Sequence, residues 1–135
     1  MSLRTVSAII AGLLAWMAGF YLIGMSFGLM WPAYAEAARF MFREDDLSHF
    51  TTPMMFMNWL LFLGTATFAG WLTARIAKNP VAPLVVTGLY LVYGMVNHYV
   101  LVWDELPPWY NVIVPFVMSL PILLGARVAG TRLPG

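Results

Sequence analysis

The sequence predicts an all-α integral membrane protein, a bundle of four transmembrane helices with a short interfacial helix on its outer side. Three observations carry that reading. Hydrophobic residues make up 61% of the 135 and charged residues only 10%, against roughly 25% charged in an ordinary soluble domain. Four stretches, residues 5–35, 47–74, 79–103 and 106–126, contain no Asp, Glu, Lys or Arg. Each exceeds the roughly 20 residues needed to cross ~30 Å of hydrocarbon. The charges also segregate: Arg4, Arg75, Lys78, Arg127 and Arg132 fall at one set of helix ends, and Glu36, Glu44, Asp45, Asp46, Asp104 and Glu105 at the other. The bias of Lys and Arg toward the cytoplasm places both termini and the 75–80 turn inside. Only Arg39 and Arg43 run against it, and they share a loop with four carboxylates.

The whole chain reads as a single transmembrane domain, with helices expected at about 6–30, 53–74, 81–103 and 108–126. The first opens behind Arg4 and ends at Trp31-Pro32. A small-x-small triplet, Ala33-Tyr34-Ala35, follows it, but the apolar run is about twice the length of a secretory core, so the segment reads as an uncleaved anchor. Ala8, Gly12, Ala15 and Gly19, then Gly24 and Gly28, put small residues at spacings of three or four, where a second helix can approach closely.

Residues 33–50 form the one long loop. Its 33–43 part mixes helix formers with Tyr34, Phe40, Met41 and Phe42, and with Glu36, Arg39 and Arg43. This pattern suits a short helix lying along the outer surface with its aromatic residues dipped into the headgroups. Glu44-Asp45-Asp46 follows, with His49 three residues on, as a solvated acidic turn.

The second segment carries Asn58 near its outer end and Ala66, Gly70 and Ala74 at strict spacings of four toward its inner end. That run predicts close packing against another helix, in this chain or in a second copy. Leu61 reads as lipid-facing. The short turn through Pro80 makes the second and third segments antiparallel neighbours.

The third segment places Tyr90, Tyr93 and Asn97 on one helical face and Gly94 and His98 on the next, so Gly94 is expected to leave room beside His98. The fourth contains Pro115 and Pro121, each of which removes a backbone donor and bends the helix. Between the third and fourth lies the densest chemistry of the chain, residues 97–111. There Asn97, His98 and Asn111 flank Trp103, Asp104, Glu105 and Trp109. Asn58, Asn97, His98 and Asn111 sit at one depth once the alternating helix directions are considered. Polar side chains in hydrocarbon face one another. A hydrogen-bonded outer layer is therefore expected, with Asn97 turned toward Asn58 or Asn111, Tyr93 below it, and His49 and Asp104 contributing from above.

Several segments together, Ala8-Ile9-Ile10-Ala11-Gly12-Leu13, Ala69-Gly70-Trp71-Leu72-Thr73-Ala74-Arg75-Ile76-Ala77, Pro107-Pro108-Trp109-Tyr110-Asn111 and Leu123-Leu124-Gly125-Ala126-Arg127-Val128-Ala129, carry a resemblance. The chain resembles a family of small four-helix bacterial inner-membrane proteins. That resemblance implies a fold and a compartment, and it brings no activity, cofactor or site residue with it.

Function is expected on chemical grounds alone. The chain has no cysteine, which excludes thiolate catalysis, disulfide exchange and Cys-ligated metals. No motif for phosphate, nucleic-acid or hydrolytic chemistry is present, and Ser48 beside His49 is no triad. The expectation is a non-enzymatic membrane protein without a cofactor, an accessory or interaction subunit whose partners are the lipid bilayer, a second copy or another membrane protein. A small-solute or ion transporter is the first alternative, weakened because no Asp, Glu, Lys or Arg lies at mid-membrane. A haem or metal protein using His49 and His98 is the second.

Overall fold

The structure, a computed structural model, describes residues 1–44 and 46–132, the Phe42 side chain excepted. It is all-helical, with four helices long and apolar enough to cross a membrane: Leu3–Met30, Thr52–Ala77, Val81–Leu101 and Pro108–Val128. The two ends of the bundle differ in charge, the basic end carrying Arg4, Arg75 and Lys78 and the acidic end carrying Glu44, Asp46 and the 102–107 turn.

Helix α1 (Leu3–Met30) is capped by Ser2, whose Oγ accepts from the Thr5 amide at 3.3 Å. Trp31 breaks it, and α2 (Pro32–Glu44) follows as the expected short interfacial helix. Glu36 and Arg39, spaced for an ion pair, form none; the ion pair among the described residues joins His49 to Asp46.

Helix α3 (Thr52–Ala77) ends where Lys78 adopts a left-handed φ of 54°. Asn79 then starts the next helix, its Oδ1 accepting from the amides of Val81 at 3.0 Å and Ala82 at 3.3 Å. The Asn79 amide also donates to Thr5 Oγ1 at 3.1 Å, tying the turn to the start of α1.

Helix α4 (Val81–Val96) passes into a π-helical turn, Asn97–Leu101. Such wider turns concentrate at functional sites, and this one holds Asn97 and His98. The last span is two helices, α5 (Pro108–Ser119) and α6 (Pro121–Val128), separated at Leu120 because Pro121 cannot continue the amide ladder. The indole Nε1 of Trp16, arriving from α1, donates to the Met118 carbonyl beside that break at 3.0 Å.

Helix α3 is the centre of the bundle, packing on α1 along one side and on α5 and α6 along the other. The expected tight seam lies within the chain. A Cβ added at Gly70 would stand 1.9 Å from the Ile122 carbonyl oxygen, and one at Gly125 would stand 1.9 Å from that of Thr67. Backbone therefore meets backbone between α3 and α6, two helices that run in the same direction. Ala66 and Ala74 are buried on the same helix. On α1, Gly12 and Gly19 face Thr73 and Thr65 of α3.

Three expectations need correction. Segments two and three, although joined by a short turn, touch at few places, because the small-residue face of α3 is taken by α6 and α1. Leu61 is buried, 4% exposed, and does not face lipid. Gly94 makes room for Pro115 and Met118 of α5, not for His98.

The contact that matters most for the site is a partial one. Helices α1 and α4 meet near the basic end, where Val86 lies against Gly12 and the Tyr90 hydroxyl donates to the Leu13 carbonyl at 2.8 Å. No residue of α1 beyond Trp16 is fully buried. The two helices thus part toward the acidic end.

Candidate functional site

At the acidic end the expected polar side chains are present at one level, but they form two networks. The first is built on Asn111, which is fully buried. Its amide nitrogen donates to the carbonyls of Trp103 at 3.0 Å and Leu106 at 3.1 Å, closing the 102–107 turn. Only an NH₂ group can serve two carbonyls, so Asn111 Oδ1 is the atom left facing His98 Nδ1, at 2.9 Å. An oxygen acceptor requires a donor, which puts the hydrogen of neutral His98 on Nδ1. Its Nε2 is therefore a lone-pair acceptor.

The second network joins α2 to α3. Asn58, 9% exposed, accepts from the Tyr34 hydroxyl at 2.5 Å, and its amide faces the Tyr110 hydroxyl. Burial pushes the Tyr34 phenol up to about 12, so it stays a donor at neutral pH. Tyr110 bridges the networks in space, its ring lying edge-on to His98 at 5.9 Å between centroids. Sequence reasoning placed Tyr34 among the headgroups and gave Tyr110 no role. The only available signal was that each hydroxyl sits near the depth of Asn58.

Asn97 is not where it was expected. It makes no side-chain hydrogen bond to Asn58 or Asn111, or to any other described residue; it is half-buried and lines a cavity. It keeps the α-helical register of α4, its backbone amide bonding to the carbonyls of Tyr93 and Gly94, and with Tyr90 and Tyr93 it turns to the cavity and not to a partner amide. Tyr93 lines the same cavity, 56% exposed, its ring edge-on to Tyr90. His49 and Asp104 do not join the layer. His49 stacks on Phe40 at 3.9 Å and pairs with Asp46 at 3.4 Å, whereas Asp104 lies exposed in the turn. Hydrogen bonds from Ser48, with a smaller contribution from the charge of His49, hold the exposed Asp46 carboxyl below its ordinary range.

The cavity lies where α1 and α4 part, and it measures about 870 Å³. Leu13, Trp16, Met17 and Phe20 form one wall, and Leu89, Tyr90 and Tyr93 the other. Phe62 and Met118 close the back. Trp16 is the centre of a stack, with Tyr90 at 4.4 Å and Phe62 at 5.7 Å. Asn58, Asn97, His98 and Tyr110 line the acidic end of the space, under a rim that includes Glu105. Met17, Leu89 and Tyr93, about half exposed, mark a side opening toward the surroundings of the bundle.

Chemically the space offers a long apolar trough and a small polar end. His98 lines it, and Nε2 has no hydrogen-bond partner among the described residues, although the residue is only 8% exposed. Among the described residues no Lys or Arg lines it. Among the described residues no three His, Cys, Asp or Glu side chains gather to hold a metal ion.

Fold and site define a four-span helical membrane bundle with a laterally open, aromatic-walled cleft. No family model, curated protein or solved structure matches the chain.

Proposed function

We propose that this chain is a non-catalytic, multi-pass accessory protein of the bacterial inner membrane, with both termini cytoplasmic, and that its working surface is the cleft between α1 and α4. On this reading it recognises a component of the bilayer and does not transform it. The observation that carries the proposal is the division of labour at the acidic end. Asn58 and Asn111 are spent on internal hydrogen bonds, whereas His98 Nε2 and Asn97 are left addressing a space that opens sideways. The small-residue seam, which could have served a second copy, is consumed between α3 and α6.

Other chemistry finds less support. Ser48 and His49 both turn to Asp46, the first through its backbone amide and the second through its ring. The two histidines also have separate surroundings, which speaks against joint ligation of one iron or metal ion. For a transporter, no described Asp, Lys or Arg lines the cleft, its Glu105 stands only at the rim, and the space ends on the Trp16–Tyr90 stack.

The test is photocrosslinking in cells with a photoreactive residue placed at Met17, Leu89 or, as a control on another face, Leu63. Adducts formed at Met17 and Leu89 but not at Leu63 support the proposal. Adducts confined to Leu63 overturn it.

A further inference from the structure

We propose that the cleft binds an uncharged membrane amphiphile, one apolar chain ended by a head with a hydroxyl group, whose hydroxyl donates to His98 Nε2 while the Asn97 amide holds a second head oxygen. The inference rests on the reading of the cleft as the working surface, and it names the chemistry of the occupant.

Four features select that chemistry. The first is the gradient along the space, from Trp16 and Phe62 near its base to Asn97 and His98 at its polar end. A ligand that fills it must change from apolar to polar along its length, and the side opening lets it enter from the bilayer. Second, the donor–acceptor balance is fixed. The two carbonyls of the turn orient Asn111, Asn111 orients His98, and neutral Nε2 can only accept. A head without a hydrogen to donate leaves that lone pair unmet, at a desolvation cost in an apolar surround.

Third, the charge of the lining excludes most lipid heads. A phosphate or carboxylate would find no Lys or Arg among the described lining residues and would sit below Glu105, the one charged side chain among them. Hydrocarbon-depth sites accept an ion only against an opposite charge, so the head is neutral. Fourth, about 870 Å³ falls within the roughly 300–1,000 Å³ of sites that enclose small ligands, and is ample for one chain with a small head.

Three probes that share one brominated acyl chain separate these features: a monoacylglycerol, the methyl ester of the acid, and the free acid. The full chain is placed in phosphatidylcholine nanodiscs, and quenching of Trp16 by the chain bromines is recorded. The Trp16→Phe variant gives the background from the other tryptophans. The monoacylglycerol should quench saturably. Ester and acid should each bind about tenfold more weakly, the scale of one hydrogen bond between uncharged groups.

Asn97→Ala should weaken the monoacylglycerol severalfold without disturbing the fold, because the Asn97 amide bonds no described residue. His98→Ala should weaken it about tenfold, and Leu89→Phe, which narrows the opening without adding a tryptophan, should weaken it further. Equal affinity for alcohol and ester overturns the assignment of the head. Saturable quenching unchanged by both Asn97→Ala and Leu89→Phe, or no saturable quenching at all, overturns the site. Should crosslinking at Met17 and Leu89 then yield a protein adduct, the accessory reading stands while the amphiphile fails.

Discussion

Replacing Gly70 by alanine adds one methyl group, and its consequence can be worked from distances. The new Cβ would lie 1.9 Å from the Ile122 oxygen, 2.6 Å from its carbonyl carbon and 2.7 Å from its Cα. Ordinary contact begins near 3.4 Å, so α3 and α6 must part by about 1.5 Å, the difference between 3.4 and 1.9. All three obstacles are backbone atoms of a helix, so no side-chain rotation relieves them. Overpacking a well-filled core costs about 1–3 kcal/mol when side chains can yield. Here the upper part of that range, about 3 kcal/mol, is expected.

Gly64, two turns earlier on the same helix, supplies the control, since a Cβ there meets nothing within 4 Å. Gly64→Ala should leave stability unchanged or raise it by up to about 1 kcal/mol, the ordinary helical preference for alanine. Unfolding of both variants and the parent in one mild detergent, followed by helical circular dichroism against added denaturing detergent, measures the difference. If Gly70→Ala unfolds with the parent, or in step with Gly64→Ala, α3 and α6 do not meet at Gly70 and the seam is wrong.

Asn111→Ala leaves His98 Nδ1 and the carbonyls of Trp103 and Leu106 unmet, so it should destabilise the bundle by about 2–4 kcal/mol in the same assay. Trp16→Phe keeps the aromatic stack but loses the bond to the Met118 carbonyl, a loss of about 1 kcal/mol. Asp46 should titrate below an ordinary aspartate by NMR, and Ser48→Ala should move it only part of the way back up, because the side-chain hydrogen bond is lost while the backbone amide of residue 48 remains. Because the folded value is the lower one, whatever stability it contributes is present above the ordinary carboxylate range and is lost as pH falls through the folded value. Reporter fusions after Lys78 and after Gly135 should both read cytoplasmic, and an external signal at either would overturn the orientation.

The fold was legible because hydrocarbon imposes a length and a charge rule that composition displays directly. Ala66, Gly70 and Ala74 announced a seam for the same reason: their spacing is intrahelical. What they did not announce was the partner, since α3 had equal sequence licence to pack on α4, α6 or a second copy, and that choice is made by long-range fit. Within the site, depth was legible and the partners were not. Asn58, Asn97, His98 and Asn111 were placed at one level by counting residues from the helix ends. What each one meets depended on residues of other elements, Tyr34 for Asn58 and the carbonyls of the 102–107 turn for Asn111. A residue count gives the face of a helix and not what stands opposite it: Asn97 shares the face of Tyr90 and Tyr93, as the spacing implies, but that face borders the cleft and offers it no amide partner.

The turn between the last two spans also has a role that its sequence conceals. Its exposed side displays Asp104 and Glu105, the obvious chemistry, yet the influence of the turn on the cleft runs through two backbone carbonyls. Trp103 and Leu106 receive both hydrogens of the Asn111 amide. The orientation of that amide fixes the hydrogen on His98 Nδ1, and the hydrogen there leaves Nε2 an acceptor. A change of turn geometry that withdrew one carbonyl would free the amide to rotate and present NH₂ to His98. The imidazole would then accept at Nδ1 and carry its hydrogen on Nε2, and the polar end of the cleft would select for a ligand acceptor instead of a donor. A rigid short turn bounded by Pro107 and Pro108 resists that change. The two prolines, which do not themselves line the cleft, thereby help to set what it can recognise.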